Sequence, residues 1–192
     1  MRVITKGIRF NVDQGKALET IVYISNKVKH GISHYHVMKT IFFADKEHLN
    51  KYGRPIIGDR YIKMPHGPVP STVYDIIKMD TEWLEPGIFD KAREALEIIQ
   101  EIDKPKIRLI FSKRDANPDW FSESDLECLD SSFDFCKDKT FEELEEISHK
   151  ESAWKRAKDK KTMDYALMLD DDNPMKNGII EDLKETSIFM IF

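Results

Sequence analysis

Between Tyr52 and Ile76 the chain reads YGRPIIGDRYIKMPHGPVPSTVYDI, with three glycines and four prolines in 25 residues. Proline fixes φ and removes a hydrogen-bond donor, whereas glycine admits backbone angles closed to other residues. The backbone therefore sets most of the shape of Pro65-His66-Gly67-Pro68-Val69-Pro70. Such a stretch is either a tight structural corner or a stiff surface that presents side chains to a partner. Just before it, Arg60, Ile62 and Met64 alternate with Tyr61 and Lys63, which predicts a short strand over 59–64 with two different faces. After it, Pro70 or Ser71 can start a helix that continues through Val73, Tyr74 and Ile77.

The flanking sequence is mainly helical in pattern. Asn11 and Gln14 form a capping pair for a first helix carrying Ala17, Leu18, Ile21, Val22, Ile24 and Val28, with Gly31 as its left-handed terminator. Ser33 caps a second helix, striped by Met38, Ile41, Phe42 and Leu49 and ending at Gly53. Asp45 falls on that apolar face. A buried carboxylate must be paired or hydrogen-bonded, and the available partners are Arg60, Lys63, His66 or free N–H groups of the Pro/Gly corner. Asp45 thus reads as a strut between helix and corner.

Phe89, Ala92, Leu96 and Ile99 predict a helix over 89–102. Lys106 to Ser112 alternates as a second strand able to pair with 59–64. Ser122 with Asp125, and Thr140 with Glu143, cap two further helices lined by Leu126, Leu129 and Phe133 and by Phe141, Leu144 and Ile147. A short turn at 163–169 and a last helix from Asn173-Pro174 to about Thr186 follow. The fold expected is mainly α with some β: a compact helical domain with a small two- or three-stranded antiparallel sheet. Its main body spans 1–165, and an extension over 166–192 packs on the core or on a partner.

With 192 residues, 41% apolar and 34% charged, the chain can bury a good core beneath a charged surface. A net charge of −5 argues against a protein that lives by gripping phosphates. No apolar run reaches membrane-spanning length and the start is not a signal peptide, so the expected location is the cytoplasm. Cys128 and Cys136 lie about 12 Å apart on one helix, too far for a disulfide.

Catalytic and metal motifs are missing. His34 and His36 point apart on a helix, and no CxxC accompanies them. The run from Asp170 to Glu181 imitates a calcium loop but has Met175 where the glycine belongs. Cys136 with His66 or His149 is the arrangement a hydrolase would use. WKRAKDKK at 154–161 is the patch a DNA-binding regulator would use, diluted by Asp159, so nucleic acid is disfavoured. The apolar end Ile188-Phe189-Met190-Ile191-Phe192 docks either on the protein's own core, as a final strand beside 107–111, or on another protein.

Lys16 to Tyr23, MKTIFFADKEHLNKYGRPIIGDRYIKMPHGPVPS (38–71), SHKESAW (148–154) and Met163-Asp164-Tyr165 together resemble the Panacea, or SocA-like antitoxin, domain. The resemblance spans about residues 12–165 and is strongest at Gly67-Pro68-Val69-Pro70. It implies a helical antitoxin that neutralises a toxin by direct contact, or alternatively hands the toxin to a protease as an adaptor. It implies no catalytic residue, metal or cofactor. Tyr61, His66, Gly67, Pro68, Val69, Pro70, His149 and Trp154 are its signature positions, holding either the toxin or the fold. Asp45, Lys63, Tyr74, Ile188, Phe189 and Phe192 complete the candidate partner-binding set, which lies near 61–74 and in 162–192.

Overall fold

A 19-residue helix, α2 (His34–Tyr52), runs through the middle of the protein and meets all three of its apolar clusters. The computed structural model describes residues 7–100 and 107–191. Ser33 caps α2 by accepting from the His36 N–H, and Gly53, with φ of 75°, closes it in the left-handed conformation. Val37, Met38, Ile41 and Ala44 face the largest cluster, Phe42 and Leu49 the second, and Tyr35 the third. Burying side chains of this size is worth about 1.5–3 kcal/mol each.

Around α2 pack α1 (Gln14–Asn26), α3 (Ser71–Lys78), α4 (Ile88–Ala95), α5 (Glu123–Cys136) and α6 (Phe141–His149), followed by α7 (Ser152–Arg156) and α8 (Lys176–Thr186). Both expected capping boxes form, at Ser122/Asp125 and Thr140/Glu143. The first helix departs from expectation. Its cap is Asp13, which accepts from the Gly15 and Lys16 N–H groups, while Gln14 bonds instead to the backbone of Trp83 and Glu85. Gly31 is left-handed, but α1 has already closed at Lys27 and Gly31 leads into a strand.

The β structure forms two antiparallel units. Strands β1 (Ile32–Ser33), β4 (Leu96–Gln100) and β5 (Arg108–Ser112) make one sheet in the order β1-β5-β4. The expected helix over 89–102 therefore stops at Ala95, and 96–100 turns to strand because Ile98 and Ile99 pair with Ile110 and Leu109. A 3.6-residue apolar period and a β-branched run coexist there, and the partner strand decides between them. Residues 101, 102 and 106 lie outside the described residues. The expected pairing of 107–112 with 59–64 does not occur. Strand β2 (Tyr61–Met64) pairs with β3 (Gly67–Pro70), so the Pro/Gly corner is itself a hairpin.

Residues 166–191 share the second cluster, where Met168, Leu169 and Leu183 are buried beside Phe42 and Leu49. The tail end pairs with Asn11 rather than with 107–111: Ile191 bridges Asn11 in parallel, and the Asn11 N–H donates to the Met190 carbonyl at 3.3 Å. Phe189 and Ile191 are exposed. Phe192 and the Ile188 side chain lie outside the described residues.

Two carboxylates without solvent contact organise the approach to the hairpin. Asp45 accepts from the N–H groups of Ile56 (2.8 Å), Ile57 (3.0 Å) and Gly58 (3.2 Å) and from the Tyr61 hydroxyl (2.9 Å). It takes none of Arg60, Lys63 and His66 and no N–H of the Pro/Gly corner itself: its amide donors come from the loop at 56–58 that precedes β2, and the Tyr61 hydroxyl joins them. Asp59 bonds the Thr72 and Val73 N–H groups, capping α3 from a distance because Pro70 at its cap position has no side-chain acceptor. Burial pushes the Asp45 carboxyl up to about 6 against its hydrogen bonds, which leaves it ionised at neutral pH. Replacing it with Ala strands three buried N–H groups, each worth about 1–3 kcal/mol, and leaves the Tyr61 hydroxyl only the Ile41 carbonyl at 3.3 Å. Asp45→Ala should lose at least about 3 kcal/mol in a urea melt; a loss under about 1 kcal/mol contradicts the strut.

Candidate functional site

The hairpin turn carries only two residues, Pro65 and His66, between paired Met64 and Gly67. Neither has positive φ, so the left-handed angle falls on Gly67, at 101°. A Cβ there would run into both the Lys39 ammonium and the Ser148 hydroxyl. Gly67 is thus required twice, by backbone angle and by the two side chains beneath it.

Prolines at 68 and 70 explain the strand's orientation. Alternation points the N–H and C=O groups of Gly67 and Val69 towards β2, and positions 68 and 70 away from it. The outer edge of β3 consequently offers no N–H at either proline. Its Pro68 carbonyl is occupied by Lys39, whose Nζ donates at 3.2 Å and also lies over the Tyr35 ring, 4.8 Å from its centre. Lys39 is only 1% exposed. Burial pushes its ammonium down to about 7, opposed by the negative charge of Glu145. This edge is therefore closed to strand addition.

The back of the hairpin is braced as well. Lys63 exchanges backbone hydrogen bonds with Lys160 and Lys161, and the Met163 N–H donates to the Tyr61 carbonyl, so 160–163 covers the outer edge of β2. Trp154 donates its indole N–H to the Met64 carbonyl at 3.2 Å, stacks on His149 and carries Lys63 over its ring. At the turn, His66 pairs with Glu145 at 2.8 Å, and its carbonyl accepts from the Tyr35 hydroxyl.

In front of the hairpin lies a groove of about 980 Å³, at the top of the size range of ligand clefts. Ile62, Met64, Pro65 and Val69 form the hairpin wall. Tyr35 and Met38 of α2 face them, Tyr74 of α3 closes one side and Phe141 of α6 another, and Ile107 and Leu109 continue the apolar lining. His34 also lines it; burial and the Arg108 charge push its pKa down, so it is neutral there. A smaller hollow of about 420 Å³ near Phe43 and Phe135 is rimmed by Lys46 and Lys51, both already ion-paired.

The candidate residues separate by position. His66, Val69 and Tyr74 line the groove, while Lys63, His149 and Trp154 brace the hairpin from behind. Asp45, Tyr61, Gly67, Pro68 and Pro70 are buried, and their contacts here are with the fold itself. Phe189 is exposed near the tail, away from the groove lining. Missed from the sequence were Tyr35, Met38, Lys39, Met64, Phe141 and the two β5-side residues Ile107 and Leu109. Lys39 did leave a signal, lying on the helical face Tyr35–Phe42–Leu49, where a charge is out of place. Cys136 is buried, which pushes its thiol up to about 11 and leaves it protonated at neutral pH. Among the described residues there is no cluster fit for a metal ion, and no helix is long and apolar enough to cross a membrane.

The family model described as antitoxin SocA-like, Panacea domain, matches residues 37–155. That span holds α2 from Val37 onward, the hairpin and α6, hence most of the groove. Comparison with the curated proteins and with the solved structures gives no match.

Strain at a left-handed non-glycine residue costs about 1–3 kcal/mol before any clash. Gly67→Ala should lower the melting temperature by roughly 5–10 °C; an unchanged melt contradicts the packing of Lys39 and Ser148 beneath the turn. Lys39 adds a pH signature. The folded chain releases this proton near pH 7 and the unfolded chain near 10.5, so between those values the unfolded state holds more of it and stability rises with pH. Lys39→Met should therefore be more stable than wild type at pH 6, on the order of a few kcal/mol, with the gap closing towards pH 10. A gap independent of pH in urea melts contradicts a charged, buried Lys39.

Proposed function

The chain belongs to the SocA-like Panacea family of antitoxin domains, and on that premise we propose that it neutralises a cognate protein toxin by direct contact through the groove beside the β2–β3 hairpin. The observation that carries the reading is the groove itself, an apolar cleft of about 980 Å³ with a wall braced from behind at every level. Apolar surface of this extent in the open is the usual mark of a binding face. A rigid wall also lowers the ordering cost of association. The exposed Phe189 and Ile191 are a second apolar surface for the same partner.

Coexpression with the product of the neighbouring gene tests the reading. The wild-type protein should restore growth against that product's toxicity. Met64→Arg places a charge on the groove wall while keeping the carbonyl that Trp154 uses. It should abolish rescue and move the melting temperature by no more than about 2 °C, since Met64 is not part of an apolar core cluster. A neighbouring product that is harmless, or full rescue by Met64→Arg, contradicts the proposal.

A further inference from the structure

The charges around the groove are unequally committed. Asp75 on its lining lies 3.4 Å from Lys78. On α6, Glu143 closes the capping box, Glu145 pairs with His66 and Glu146 with Lys150. Both ring nitrogens of His36 are taken, by Ser33 and by the Lys139 carbonyl, and Lys39 is held by Pro68. Glu142 is different: it is exposed, lines the groove, and has no ion pair or hydrogen bond among the described residues. Its field reaches inward, because after burial the charges of Glu145 and Glu142 are what hold the Tyr35 phenol pKa up. Among the charged side chains that line the groove, the uncommitted one is thus negative, at the end where Tyr35, His66 and Phe141 meet, while the Arg108 charge acts on the lining residue His34 from outside the lining.

The backbone of the walls limits the shape of the occupant. An extended segment needs a strand edge for its own N–H and C=O groups. The outer edge of β3 lacks N–H groups at Pro68 and Pro70, and its Pro68 carbonyl is filled by Lys39. A helix satisfies its own backbone and needs only an apolar floor.

We infer that the groove receives an amphipathic helix of the toxin whose apolar stripe lies against Met64, Tyr74 and Phe141 and whose edge carries a lysine or arginine meeting Glu142. The inference rests on the antitoxin reading and gives the chemistry of its partner. Met64 suits such a site, as an unbranched side chain that adjusts to a helix surface. The cation selects orientation more than it adds affinity, since one exposed ion pair contributes little.

The test uses the full-length protein and the toxin already shown to be neutralised by coexpression, as 18-residue synthetic peptides tiling the toxin sequence, read by fluorescence polarisation. The tightest peptide should be amphipathic, carry a lysine or arginine, and lose binding when a central residue is replaced by proline. Glu142→Gln should weaken it about 2–5-fold, which is the range of an exposed pair. Glu142→Lys should weaken it further, with binding restored by a peptide whose cation is changed to glutamate. Glu142→Gln should melt close to wild type, and Glu142→Lys, which puts a cation in the first turn of α6 against the helix dipole, should melt only about 1–4 °C lower. A tightest peptide that is acidic, one that tolerates proline, or Glu142→Lys binding as wild type overturns the helix and its cation. Because neutralisation is established first, those results leave the antitoxin reading standing; absence of neutralisation removes that reading instead.

Discussion

Asp45 sits in the middle of α2 with no solvent contact, and the N–H groups of Ile56, Ile57 and Gly58 converge on it. An ionised carboxylate in that position is tolerable only because several donors replace its water. The donors come from a loop that could not otherwise satisfy its backbone inside the protein. Each side therefore needs the other, and the loop is fixed to the helix one turn before β2 begins. Tyr61, the first residue of β2, adds its hydroxyl to the same carboxylate. From that anchor the hairpin's position follows, and with it the wall of the groove.

Lys39 plays the complementary part on the far side of the hairpin. Its Nζ fills the outer carbonyl of a strand that has given up two N–H groups to proline, under a turn glycine that leaves it room. An apolar residue at position 39 would pack more cheaply but would leave the Pro68 carbonyl empty at the sheet's edge. Edge strands with free backbone groups invite pairing with other chains. The prolines, the lysine and the 160–163 segment together close both edges of the hairpin, so what remains for recognition is side-chain surface. That is the physical link between a Pro/Gly-rich sequence and a cleft suited to a helix.

Much of this was legible in the sequence, for local reasons. The apolar stripe and caps of α2, the two capping boxes and the split faces of 59–64 are read from neighbours three or four residues away, or one strand residue apart. The burial of Asp45 was visible as a charge on an apolar stripe. The hairpin was not, because GPVP contains two residues normally barred from strands, and only pairing on one side admits them. Residues 96–100 were hidden for the opposite reason: their helical period is real, and a distant strand overrides it. The groove was the least legible feature. Its lining comes from β1, α2, β2, β3, α3, β5 and α6, and only His66, Val69 and Tyr74 among the candidate residues reach it.

The proposed binding mode requires a hairpin that is rigid before the partner arrives and a partner that covers its front. Hydrogen exchange of the protein, alone and with a toxin that coexpression shows it to neutralise, measures both at once. The amides of Ile56, Ile57, Gly58 and Lys63 should be slow in the free protein and little changed on binding, with new protection appearing at 33–39 and at Phe141–Glu142. Fast exchange across 56–63 in the free protein, or protection appearing only away from those groove segments, contradicts it.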